Sequence, residues 1–130
     1  MRMALTLIRL LFSIAGLYDL LIGLAFLGFG PQIFAAGGVP QPSPGSWAYI
    51  QFGSLMLVIF GIMFFAVAYA PQANRNLIPY GILLKLAYTG LVVYYAFILD
   101  VPMLFKPFAV IDATMFVLFA LAYSKLTANR

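Results

Sequence analysis

The chain has 130 residues, 65% of them hydrophobic and 8% charged, with a formal charge of +4. Water-soluble domains carry about 25% charged residues, so this composition excludes a soluble globular protein and points to an integral membrane protein. The seven basic residues are scattered rather than patched, which excludes a nucleic-acid footprint. The lack of Cys, His and Glu excludes disulfide frameworks, histidine or thiolate metal sites, Ser-His-Asp hydrolysis and carboxylate-bridged di-iron centres.

In chain order, Met1, Arg2 and Arg9 precede an apolar stretch from Leu10 to Gly30. That stretch is too long for a signal-peptide core and long enough to span a bilayer. Phe34-Ala35-Ala36 is a weak match to a cleavage site. A first span is therefore expected over about 6–29. Residues 30–46 hold four Pro and four Gly and no charge, which predicts an outer loop. A second span is expected over about 47–70, followed by the short polar turn PQANRN. A third is expected over about 77–99. DVPMLFKPF, residues 100–108, reads as a short connection at the membrane surface, and a fourth span follows over about 108–126. Pro79 and Pro107 fall in first helical turns, where a missing N–H costs little.

Each stretch is apolar on all sides, unlike the striped helix of a soluble core. The expected fold is all-α: one domain, 1–130, forming a four-transmembrane-helix bundle. FFAVAYA (64–70) and LFALAYS (118–124) end the second and fourth spans alike, which suggests two helical hairpins built as parallel repeats. Basic residues set the orientation. With the N-terminus inside, Arg2, Arg9, Arg75, Lys125 and Arg130 are all cytoplasmic and Lys106 alone is outside. Both termini are then cytoplasmic, with Trp47 and Tyr49 at the outer interface and Tyr69, Tyr80 and Tyr123 at the inner one.

Three charges fall deep in the expected spans, away from Arg9 and Lys125 near the cytoplasmic ends. Counted at ~1.5 Å per residue, Lys85 lies ~11 Å and Asp19 ~14 Å from the cytoplasmic side, while Asp112 and Gln51 each lie ~6 Å from the other. Asp19 shares a helix stripe with Ala15, Gly16 and Gly23, and Lys85 shares one with Gly81 and Thr89. Small residues mark close helix contact in membranes, so both charges are expected to face protein. Two polar layers follow: an inner Asp19–Lys85 pair and an outer Asp112–Gln51 pair, with Tyr18, Tyr88 and Thr89 supplying hydroxyls to the inner one. A lone charge at mid-bilayer costs on the order of 3 kcal/mol by insertion scales, and pairing reduces that. The bland alternative for Lys85 is snorkelling, since its stem reaches ~6 Å toward the interface. Asp19 is too short for that escape. Asp100 and Lys106 read as solvated loop charges.

At GLYDLLIGLAFL, YIQFGSL, NRNLIPYGILLKLAY and FKPFAVIDATMFVLFALAY the chain resembles a group of small four-helix bacterial membrane proteins, similar in layout to the DoxX-like group. The likeness covers most of the chain and includes Asp19, Gln51, Lys85 and Asp112. It implies a multi-pass protein of the bacterial inner membrane and carries over no reaction. DoxX-like proteins are linked to quinone-associated redox chemistry, but the redox-active side chains here are tyrosines and methionines alone.

Three functions compete. The polar site (Asp19, Lys85, Asp112, Gln51, Tyr88, Thr89) binds or transports an ion, a proton or a small amphipathic molecule, since intramembrane ionisable residues are functional candidates. Alternatively, the protein is a structural or accessory subunit, and the charges only set helix register. A membrane enzyme acting on lipid or quinone is the third reading, with no nucleophile–base pair or metal set behind it. No cofactor or metal is expected. The expected partners are the lipid bilayer and other subunits, as a homo-oligomer or a larger membrane complex.

Overall fold

The computed structural model describes residues 2–129, so Arg130, one of the five basic residues assigned to the cytoplasmic side, lies outside it, as does Met1. Four helices account for almost all of the described chain: α1 (Arg2–Ala36), α2 (Trp47–Tyr69), α3 (Ile78–Ile98) and α4 (Lys106–Ala128). Single 3₁₀ turns, Pro44–Ser46, Arg75–Leu77 and Met103–Phe105, lead into the last three. Among the described residues there is no strand, and all four helices are long and apolar enough to cross a membrane.

The helices form two antiparallel hairpins. α1 packs along α2 through glycines. A Cβ on Gly16 would lie 2.9 Å from the Gly61 carbonyl oxygen, and one on Gly61 would lie 2.8 Å from that of Gly16. Two turns further on, a Cβ on Gly23 would lie 2.6 Å from the Ser54 carbonyl oxygen. Without lipid-facing hydrophobic gain to drive them together, membrane helices associate through such close backbone packing. The small-residue stripe expected on the first span is therefore the seam with α2. α3 packs on α4, and two side chains stitch them: the Tyr88 hydroxyl donates to the Phe105 carbonyl at 3.0 Å, and Thr89 Oγ1 donates to that of Ala109 at 3.4 Å.

The two hairpins meet mainly in the half of the bundle nearest the termini. There Ile8, Phe12, Phe64, Val67, Ile78, Phe119 and Leu126 form one buried core drawn from all four helices. Phe12 stacks on Phe119 at 4.6 Å between ring centres, and Phe64 meets Phe119 edge-on at 5.1 Å. Gln72 Nε2 donates to the Leu126 carbonyl and Asn74 Nδ2 to that of Ala66, which ties the 70–77 turn to α4 and to the end of α2. The opposite half is looser, and from Val93 to Asp100 every residue of α3 and its exit is exposed.

The spans match expectation to within two residues for α2, α3 and α4. The first does not. Residues 30–36, expected in the loop, continue α1 beyond a break at Phe29 (φ −131, ψ 24). Pro31 sits in the first turn after the break, where it removes no needed hydrogen bond. Gly30 admits the Trp47 ring, which a Cβ would meet at 2.8 Å. Phe34 then packs on Trp47 and Phe105. Tertiary contact by aromatic rings thus overrides the Pro and Gly count. The helix ends when Gly38 turns to φ +69 and the Val39 N–H closes on the Phe34 carbonyl, a glycine C-cap.

Candidate functional site

Between the core and the aromatic contacts of the far half lies one charged cluster. Lys85 enters it from α3, on the same face as Gly81, four residues earlier. Gly81 is small because Phe64 of α2 lies against it; a Cβ there would stand 2.5 Å from that ring. The Lys85 side chain is wholly buried. Its Nζ donates to Asp19 Oδ1 of α1 at 2.8 Å and to Asp112 Oδ1 of α4 at 3.2 Å. It also stands 5.2 Å from the centre of the Tyr18 ring and 5.7 Å from that of Phe64, within cation–π range.

The inner pair expected from helix depth is therefore present, and snorkelling by Lys85 is excluded by its burial. The outer pair is not formed. Asp112 turns to Lys85, and Gln51 is exposed on α2. Equal depth does not fix azimuth: α2 gives its buried face, with Ser54 and Gly61, to α1, while Asp112 sits on the helix paired with α3. α4 also starts at Lys106, two residues before the expected boundary, so Asp112 is deeper than counted. The flexible Lys85 stem spans the remaining difference. The two expected layers are one.

The hydroxyls also depart from expectation. Tyr88 and Thr89 are spent on α4 carbonyls rather than on the cluster. Tyr18 does lie against the cluster, but its hydroxyl is buried without a hydrogen-bond partner, as is Asp19 Oδ2. Unpaired buried polar atoms are uncommon in native structures and call for an explanation. Asp100 and Lys106 stand apart, 3.9 Å from one another and both exposed enough for water to screen them.

The cluster is closed on both sides by rings. Toward the termini the floor is Phe12, Phe64 and Phe119. Toward the other end, Phe108 meets Tyr18 edge-on at 6.3 Å, and Phe34 contacts Phe26, Trp47 and Phe105 beyond it. Asp19 is 1% exposed and Asp112 7%, so Asp112 is the member nearest an opening. The position between the two carboxylates, where a bound cation would sit, is filled by the tethered ammonium.

The chain matches no protein-family model, no curated protein and no solved structure, so what the cluster does must be read from its own geometry.

Removing one partner of a buried ion pair leaves the other charge uncompensated, at a cost of about 3–5 kcal/mol. Lys85→Met, which leaves two carboxylates without a cation, is expected to destabilise the protein by that amount in detergent unfolding. Asp19→Asn and Asp112→Asn each leave one carboxylate on Lys85 and should cost less, about 1.5–3 kcal/mol, as befits the loss of one charge-assisted hydrogen bond. The Asp19→Asn/Lys85→Met double variant should recover part of the loss, and adding Asp112→Asn should recover more. Simple additivity across this cycle would mean that the three side chains are energetically independent.

Proposed function

We propose that this chain is a small multi-pass protein of the bacterial inner membrane, with both termini cytoplasmic, whose Asp19–Lys85–Asp112 cluster binds and exchanges one proton. The observation that carries this reading is the ratio of charges: one buried ammonium between two buried carboxylates. With all three ionised, the cluster has a net charge of −1 in a medium where an uncompensated charge is expensive. One proton makes it neutral. A metal cation is a poorer fit, because Lys85 already fills the cation's place. The partnerless Asp19 Oδ2 and Tyr18 hydroxyl are the polar atoms left to receive the proton and its hydrogen bond.

Exchange would run through Asp112, the least buried member, and would need one of the two aromatic closures to part. The far closure is the weaker: α3 is held there by two side-chain hydrogen bonds, whereas the floor is a fully buried ring stack. Gln51, Tyr88 and Thr89 are assigned no ligand contact. Four thin helices do not enclose a wide pore, so net transport would follow the seam between the hairpins or require several copies of the chain. The likeness in layout to the DoxX-like group is compatible with this reading and adds no reaction to it.

The second reading, an accessory subunit, is favoured by a different observation. The half of α3 beyond Gly90 is exposed along most of its surface, including Leu91, Tyr94, Phe97 and Ile98. A partner helix would cover it.

Two measurements test the proposal. Cysteines introduced at Ser43 and Asn74 should be labelled from opposite sides, Ser43 from outside and Asn74 from the cytoplasm; labelling from the same side would break the four-span topology. Infrared difference spectra of protein in lipid at neutral pH should show the C=O stretch of one protonated carboxyl. Asp19→Asn and Asp112→Asn should each abolish it, because one carboxylate then balances Lys85. Lys85→Met should strengthen it. A wild-type protein without this band has no bound proton in the cluster, and the accessory reading would stand in its place.

A further inference from the structure

On the outer surface of the bundle, away from the charged cluster, the first half of α1 and the last half of α4 line a shallow, open apolar groove of about 470 Å³. It runs from Ala4 to Ile14 on α1 and from Lys125 back to Leu118 on α4, with Ala122 leaving room in its wall. Ten helical residues cover ~15 Å, about half of the ~30 Å hydrocarbon core. The groove is therefore one leaflet deep.

Lys125 is the single charged side chain lining it, and it sits at the polar end. Each of the chain's three acidic residues is elsewhere. Asp19 and Asp112 are held by Lys85, and Asp100 lies beside Lys106 at the opposite end of the bundle. Arg2, Arg9, Arg75 and Lys125 thus mark one end of the described bundle with four positive charges and no acidic side chain. A zwitterionic headgroup brings its own cation and gains little from such an end. An anionic headgroup gains the whole attraction.

We propose that this groove is a binding site for one anionic glycerophospholipid, an acyl chain lying along Leu7, Ile14 and Leu118 and its phosphate on Lys125. The inference is independent of the proton-binding reading, because it uses none of the cluster residues.

The test uses the full-length protein, purified and delipidated in detergent. It is titrated with phosphatidylglycerol and with phosphatidylcholine of the same acyl chains, and bound lipid is counted by native mass spectrometry. Phosphatidylglycerol is expected to bind more tightly. Lys125→Gln should weaken phosphatidylglycerol about five-fold, the contribution of one basic residue near a lipid phosphate, and leave phosphatidylcholine unchanged. Ala4→Trp, at a half-buried position near the helix start, should fill the groove and weaken both lipids; unchanged thermal unfolding would show that each variant is folded. Equal binding of the two lipids by wild type, or phosphatidylglycerol binding unchanged by Lys125→Gln, would overturn the proposal. So would a protein dimer that occupies the groove and excludes both lipids.

Discussion

A primary amine buried at mid-membrane must be matched by negative charge, and much of this bundle is arranged around that requirement. Lys85 reaches out of α3 to carboxylates on α1 and α4. α1 and α4 belong to different hairpins, so the ion cluster is also the polar link between the two halves. Where each hairpin is sealed internally by glycine seams or by hydroxyls on carbonyls, the halves are joined by one ring-stacked core and one set of charges. Helix register follows from this. A one-residue shift in the register of α1 would turn Asp19 away from the ammonium by ~100°.

The packing around the cluster is uneven. Toward the termini, Phe12, Phe64 and Phe119 exclude space on all sides. Toward the loops, the kinked end of α1 leans Phe34 onto Trp47 and Phe105, and α3 runs on almost uncovered. Regions with few buried apolar contacts open at lower free energy than the core. Opening is therefore expected first at the loop end.

Much of this was legible in the sequence. Four spans follow from the length and apolarity of the runs, and the Asp19–Lys85 pair follows from matched depth and shared small-residue stripes. Other parts were not. Asp112 was assigned to Gln51 because depth along a helix says nothing about which neighbour a face meets; that depends on hairpin pairing, which apolar sequences encode weakly. Gly30 and Pro31 read as loop residues because local propensity was weighed without the Trp47 and Phe105 rings that hold the extra turns in place. The break at Phe29 lies where those propensities expected the helix to stop, so they located the kink and missed the continuation. A clue to Asp112 was present nonetheless. An exposed glutamine near a helix end can meet water or headgroups, whereas a second carboxylate in an apolar helix calls for a cation, and Lys85 is the one basic residue deep inside the spans.

The central claim is that a single ammonium bridges two carboxylates inside the membrane. Solid-state NMR of protein in lipid, with nitrogen-labelled lysine and carbon-labelled aspartate, measures this directly. A buried bridge predicts dipolar contacts from Lys85 Nζ to the side-chain carboxyl carbons of both Asp19 and Asp112, with no exchange broadening from water. Contact with neither, and a Lys85 signal that exchanges freely with solvent, would contradict it and return Lys85 to the interface.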